Sequence, residues 1–311
     1  MSRLKLSLII CTHNPRTDYL SRTLEGLKAQ DMPFGDWELL LVDNASTVAV
    51  KSRFDIRWHP NIVYLHESEL GLTPARLCGI RHAQGELLLF VDDDNILEPN
   101  YVRDSIRIGE EYSHLGVWGG QQTGEFEVDP PPHILPHLEM LAIRSVSRAK
   151  WSNLYSWETT PAGAGMVIRA AIAQVYLKKS VENTLMQGLD RKGNSLASGG
   201  DIDMAYTAID MGFGAGLFPD LQLTHLIGKA RLTEEYMLRI RYGITYSGII
   251  VEHLRGIERP VPVQSSVRAV IGKLYHRLTQ SPFEYRMMMA NRDAIDRART
   301  FIDTLKQVKD G

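Results

Sequence analysis

The chain has 311 residues, 44% of them hydrophobic and 23% charged, with a net charge of -2. This balance excludes a disordered chain, and the two cysteines, Cys11 and Cys78, are too few for a disulfide framework or a cysteine-bound metal. No uninterrupted apolar run reaches the ~18–20 residues of a membrane span, and Met1-Ser2-Arg3-Leu4-Lys5-Leu6 leads into a strand rather than a signal peptide. Two thiols in an apolar strand and an apolar helix point to a reducing, cytoplasmic setting. The charge is uneven: from Ile227 onward there are 15 Lys/Arg against 9 Asp/Glu, a net of +6, and the preceding part carries -8. Solvated helix faces are the favoured explanation of that basic tail. Peripheral contact with the inner face of a membrane is the other, and nucleic acid is not expected as a partner.

In chain order, Leu6–Cys11 reads as a buried strand, followed by the polar loop Thr12-His13-Asn14-Pro15-Arg16. A helix is predicted from Tyr19 to about Gln30, with Asp18 as its cap and Leu20, Leu24 and Leu27 on one face. Trp37–Val42 is a second buried strand that closes on Asp43-Asn44, and Asn61–Leu65 is a shorter third. Thr73-Pro74 predicts a helix start with Thr73 as N-cap, running to about Ala83 before Gly85 stops it. Alternating strands and helices predict a doubly wound, mostly parallel sheet flanked by helices. The polar loops should then open together at one sheet edge, where such folds bind ligands. Neither Gly-x-Gly-x-x-Gly nor a Walker A loop follows strand one, so the common dinucleotide and NTP sites are excluded.

The central stretch is Leu87-Leu88-Leu89-Phe90-Val91-Asp92-Asp93-Asp94. An apolar run without alternation is a strand buried on both faces, and it delivers three carboxylates to the sheet edge. Two readings stand at this point: an acidic solvated turn, or carboxylates gathered for a hard divalent cation and the diphosphate it binds.

Four blocks carry a family resemblance: Ser7–Pro15, Leu41–Ser46, Gly71–Arg76 and Gly85–Asp94. In this order and at these separations the chain resembles the family 2 glycosyltransferases of GT-A fold. The resemblance implies an inverting, metal-dependent transfer from a nucleotide-diphosphate sugar. A UDP-sugar is the favoured donor, Mn²⁺ or Mg²⁺ the cofactor, and a glycan or lipid-linked hydroxyl the acceptor. It implies that Thr12, His13 and Asn14 lie against the nucleoside, that Asp43 accepts from the base, and that Arg76 lies near the nucleotide or braces its loop. Asp92 and Asp94 become the Asp-x-Asp pair, with Asp93 beside the nucleotide. Two positions depart from the family pattern: His13 stands for a usual Tyr, and Leu77 for a usual Asn.

Further on, Tyr101 to about Glu111 is predicted helical and Val117–Gly120 a strand. Asp129-Pro130-Pro131-Pro132-His133 breaks regular structure, and Trp151 to Trp157 suits either sugar faces or packing. Pro161–Arg169 leads a small-residue loop into a strand, which in the resembling family lies beneath the donor sugar. Ser198-Gly199-Gly200-Asp201 opens a helix that Gly212 ends, with Ser198 in a loose capping position. In the family a Glu-Asp pair often stands here with the Asp as general base. Asp201 takes that role by resemblance, and with Gly200 in the Glu position Asp203 is the candidate helper carboxylate. A helix N-terminus should favour the ionised form of Asp201. The same resemblance implies a His hereabouts that contributes to the metal or the diphosphate, and His225, near the end of closing strands, is the candidate third metal ligand. From Ile227 the pattern is helical: about Thr233 to Arg255, a break at Arg259-Pro260-Val261-Pro262, then two helices to Lys309. The expected division is a catalytic domain over 1–226 and a helical extension over 227–311. A sugar-1-phosphate nucleotidyltransferase is the alternative enzyme, lacking here its glycine- and arginine-rich loop; a non-catalytic glycan-binding or scaffold protein is the other.

Overall fold

The computed structural model describes residues 4–310, apart from 184, 186, 187, 192, 194 and 258–280. Four parallel strands form its first half: β1 (Leu6–Thr12), β2 (Trp37–Asn44), β3 (Ile62–Glu67) and β4 (Leu87–Asp92), in the order β3-β2-β1-β4. Alternate residues of the apolar runs feed two separate cores. Leu6, Leu8 and Ile10 of β1, with Leu87, Leu89 and Val91 of β4, face α1 (Thr17–Lys28) and α3 (Tyr101–Glu111). Ile9, Leu88 and Phe90 face α2 (Leu72–His82), α4 (Ala170–Glu182) and α5 (Gly200–Asp210). A strand covered on both sides has no reason to alternate, and this explains the unbroken runs.

Beyond β4 the sheet is mixed. It continues through β8 (Met166–Arg169), β6 (Leu115–Phe126) and β9 (Gly214–Ile227) to β5 (Asn95–Leu97), with β7 (Lys150–Ser152) paired to β9. β4–β8, β6–β8, β5–β9 and β7–β9 are antiparallel, while β6–β9 is parallel. The register of β6 on β9 shifts between Gly119 and Gln121. A Cβ at Gly120 would collide there with the Leu221 carbonyl oxygen, which is backbone and cannot step aside. Gly120→Ala is therefore expected to destabilise by roughly 3 kcal/mol or more, read as a lower denaturant midpoint.

Helix α6 (Glu234–His253) starts with Thr233 accepting from the Tyr236 N–H, and α7 (Pro282–Asp310) packs along it. The predicted break at 259–262 and the helix before α7 lie outside the described residues. No helix among the described residues is long and apolar enough to cross a membrane. Both cysteines are free thiols.

Three expected caps are corrected. α1 begins at Thr17 after Arg16, and Asp18 sits inside its first turn, paired with Arg16 at 2.7 Å. α2 begins at Leu72 after Gly71, whose φ of 146° suits glycine, and the Thr73 hydroxyl is drawn away to Asp190. α5 is capped by Gly199; the Ser198 hydroxyl donates instead to the Leu196 carbonyl.

Candidate active site

The register puts the polar strand ends side by side, with Thr12 opposite Asp43 and Cys11 opposite Asp92. They open onto a cleft of about 280 Å³ lined by Thr12, His13, Asn44, Gly71, Leu72, Asp92, Asp93, Asp94, Arg191 and Arg231. A smaller cavity of about 70 Å³ adjoins it, lined by Arg76, Gly163, Asp190, Asp201 and His225. Leu72, Asp92, Arg191 and Arg231 line both, so the two are parts of one opening.

The three adjacent carboxylates coexist because each has a different environment. Asp94, 4% exposed, faces Arg231 at 2.9 Å and the His225 Nε2 at 3.4 Å. Burial works against its charge, but His225 and Arg231 prevail and hold the carboxyl well below the ordinary range. Asp93 accepts from the Thr12 hydroxyl; burial and the Asp94 charge push it up to about 7. Asp92 takes no part in those pairs and borders both cavities, while its backbone N–H is tied to Asn95.

His225 stands beside Asp94. Its Nδ1 faces the Leu141 carbonyl at 3.0 Å and so donates, and Arg231 Nη1 lies 2.9 Å from Nε2. Arg231 thus reaches both His225 and Asp94; its contact with Nε2 is a hydrogen bond only in the neutral ring, whereas the ion pair of His225 with Asp94 needs the charged one. It comes from the short turn Lys229–Leu232 after β9, carries no motif, and was not legible in the sequence. Arg191, the other cation of the cleft, was missed for the same reason.

Among the described residues, no group of three or more His, Cys, Asp and Glu side chains stands ready to hold a metal alone. A small hard cation needs less: one or two carboxylates plus substrate phosphates. Asp92 and Asp94 supply that donor set, so the residues fit such an ion.

Two expected nucleotide contacts, Asp43 and Asn14, make hydrogen bonds that brace loops. Asp43 is 1% exposed; its oxygens accept from the Ser46 and Val50 N–H groups and from the Tyr64 hydroxyl at 3.1, 2.9 and 2.5 Å. Burial raises its pKa, but those hydrogen bonds outweigh it and the net shift is downward. Asn14, at φ 48°, accepts from the Thr47 N–H and so ties the loops after β1 and β2 together. His13 and the unforeseen Asn44 line the cleft in their place. His13 Nδ1 lies 2.7 Å from the Asn44 carbonyl, and the Asn44 side chain accepts from Gly71 and donates to Glu67 and Glu69.

Asp201 lies in the first turn of α5, where its Oδ2 accepts from the Gly163 N–H at 3.1 Å. Its pKa is raised, chiefly by burial, with Arg76 opposing and Asp190 adding. Burial therefore overrides the helix end that was expected to favour the charged form. Arg76 does not border the larger cleft. It is 5% exposed, pairs with Asp190 at 3.4 Å, and keeps its charge because Asp190, Asp92 and Asp201 offset its burial. A Cβ on Gly163 would overlap the Arg76 guanidinium and come within 3.2 Å of the Asp201 Cβ. Gly163→Ala should therefore displace both charges and lower turnover by about 10²-fold at little change in melting temperature.

The Asp203 expectation is corrected: it pairs with Arg255 at 2.5 Å, away from the cleft. The Trp151–Trp157 stretch lines neither cavity and is partly exposed, Trp151 by 49%. Trp151 lies tilted against His114, with ring centroids 4.5 Å apart, and Trp157 donates to Glu252 of α6.

A parallel α/β half, a mixed half, and acids at the joint of the two define the GT-A architecture of glycosyltransferases. The chain belongs to glycosyl transferase family 2, whose model matches residues 7–176. It is 26% identical over 112 residues to the poly(ribitol-phosphate) beta-N-acetylglucosaminyltransferase TarS of Staphylococcus aureus, covering 35% of this chain and 19% of that protein. It is 25% identical over 169 residues to the putative glycosyltransferase EpsH of Bacillus subtilis, covering 48% and 46%. The chain thus spans less than half the length of these curated relatives. Among solved structures it is similar to S. aureus TarS 1–349 in complex with UDP-GlcNAc, with a TM-score of 0.54 and 18% identity over 97% of this chain and 84% of that one. It is also similar to the mannosyltransferase PcManGT of Pyrobaculum calidifontis in complex with GDP-Man and Mn²⁺, with a TM-score of 0.56 and 16% identity over 96% and 87%. At these identities the likeness shows the fold.

Proposed function

We propose that the chain transfers a sugar, with inversion, from a nucleotide-diphosphate sugar to an acceptor hydroxyl. The observation that carries this is the shared opening: Asp92 and Arg231 border the cavity of Asp201 as well as the larger cleft. The nucleoside lies against Thr12, His13 and Asn44, and the diphosphate against Arg191 and Arg231. Asp92 and Asp94 would hold a divalent cation, Mn²⁺ or Mg²⁺, which when bound would supply charge neutralisation for the leaving diphosphate. Asp201 accepts the proton of the acceptor hydroxyl as that oxygen bonds to the anomeric carbon. The carbon–oxygen bond to the diphosphate breaks on the opposite face, and its electron pair leaves on the phosphate oxygen. His225, with Nε2 toward Asp94, is the third group of the acid cluster. We assign 1–226 as the catalytic unit and 227–311 as a helical brace that also lends Arg231 to the cleft. Two free thiols support a reducing, cytoplasmic location. A glycan or lipid-linked acceptor is the class a family 2 enzyme takes.

A thermal-shift panel of UDP-, GDP- and dTDP-sugars with Mn²⁺ tests the donor class. One nucleotide should stand out, because a ligand at 100 times its Kd stabilises by about 2.7 kcal/mol. Stabilisation by none of them, with or without Mn²⁺, counts against the proposal. The raised Asp201 also sets a pH dependence. A base works ionised, so turnover should fall on the acid side at a pH above that of an ordinary aspartate.

A further inference from the structure

Position 200, just before Asp201, is a glycine whose missing side chain has a definite neighbour. A Cβ built there would overlap Asp190 Oδ2 and lie 2.7 Å from Asp190 Cγ. The Asp190 carboxylate therefore fills the space that a side chain at 200 would take. It is 3% exposed and spans two helix starts. It accepts from the Thr73 hydroxyl of α2 at 2.9 Å, pairs with Arg76 of α2 at 3.4 Å, and accepts from the Arg191 N–H at 2.9 Å. Its neighbour Leu189 accepts from the Gly199 N–H at the start of α5, also at 2.9 Å.

We propose that Asp190 is a positioning residue of the reaction centre: it takes up the Arg76 guanidinium, so that Asp201 is left free of an ion pair and able to receive the acceptor's proton. The inference rests on the reading of Asp201 as the base. The geometry divides the labour between the two carboxylates. Arg76 pairs with Asp190, whereas Asp201 is held by neutral N–H donors, from Gly163 at 3.1 Å and from Ile202 at 2.9 Å. A carboxylate bound by a guanidinium is a poor base, because the cation favours its ionised form. With Asp190 in place, burial and a second negative charge act together to strengthen Asp201 as a proton acceptor. The charges facing Asp201 are Arg76 from α2, Asp190 from the segment before α5, and Arg144 from the segment before β7. Asp92, His225 and Arg231 border the same cavity.

The first test needs no donor. The carboxyl ¹³C titration of Asp201, identified by its loss in Asp201→Asn, should move to lower pH by about one pH unit in Asp190→Asn, as Arg76 is left to Asp92 and Asp201. An unchanged titration overturns the proposal. The second test is turnover of UDP-N-acetylglucosamine, or of GDP-mannose if that is what stabilises the protein, with Mn²⁺. Asp190→Asn should lose about 10²-fold in kcat, with its acid limb shifted down and the donor KM unchanged. Gly200→Glu should lose at least as much. In Asp190→Gly/Gly200→Glu the new carboxylate enters the vacated space, and kcat should recover to within about tenfold of wild type. A double variant no better than Asp190→Gly contradicts the proposal. If Asp190→Asn does not fold, Thr73→Val, which removes only the hydroxyl that holds Asp190, should lower kcat while Thr73→Ser restores it; wild-type turnover in Thr73→Val overturns the idea. Should Asp201→Asn itself keep full turnover, the base reading fails, and the titration still reports separately whether Asp190 acts on Asp201.

Discussion

Asp201→Asn is expected to lose transfer by about 10²–10⁴-fold while keeping nucleotide binding, the range that loss of a positioned general base produces. The amide keeps the size of the carboxylate and can still accept from Gly163, so the cleft should hold its shape. Stability should move the other way from activity. The folded-state pKa of Asp201 is raised, chiefly by burial. For a group raised on folding, the stabilisation is complete below its unfolded pKa and is lost as pH rises through the folded value. Above its raised pKa the ionised Asp201 therefore weakens the fold, and the neutral amide removes that penalty. Asp201→Asn should melt no lower than wild type, and the gap should close as pH is lowered. An inactive variant that also melts early would mean a collapsed site rather than a lost base. Full transfer by a well-folded variant would remove Asp201 from the chemistry.

Asp94→Asn is expected to lose metal-dependent nucleotide binding and to slow turnover by about 10²–10³-fold, because charge neutralisation at the departing diphosphate is worth several kcal/mol. The same change leaves the Arg231 guanidinium without its 2.9 Å partner, so cation-independent nucleotide affinity should hold or rise. Isothermal titration with and without Mn²⁺ separates the two effects. Unchanged Mn²⁺ dependence in the variant would take Asp94 out of the cation site.

The two halves of the molecule were not equally legible. β1, β2 and β4 announced themselves because each is covered on both faces, so their apolar runs are unbroken and end where the polar edge begins. The antiparallel partners were harder to read. β9 spans Gly214–Ile227 as one strand with Pro219 and Asp220 inside it, and no periodicity joins its two ends. Helix starts were misplaced where a capping residue had a stronger tertiary partner. Thr73 has the right identity for an N-cap, yet the buried Asp190 claims its hydroxyl. The acids of the site were readable from their place after β4. The cations were not, since Arg191 and Arg231 reach the cleft from irregular segments far along the chain. Asp43 stands at the end of β2 where it was expected, and its hydrogen bonds to Ser46, Val50 and Tyr64 were not legible in the sequence. Asp190 lay wholly outside the pattern, because its significance depends on the empty Cβ direction of a glycine ten residues later.

A crystal structure of the protein with Mn²⁺ and an unreactive nucleotide sugar, recorded at the manganese edge, puts all of these assignments in one experiment. The anomalous peak should lie about 2.0–2.2 Å from Asp92 or Asp94 oxygens, with phosphate oxygens completing the shell and the Asp201 carboxylate on the sugar side of the cleft. A peak remote from those acids, or a sugar bound with Asp201 out of reach of its anomeric carbon, would contradict the proposed reaction centre.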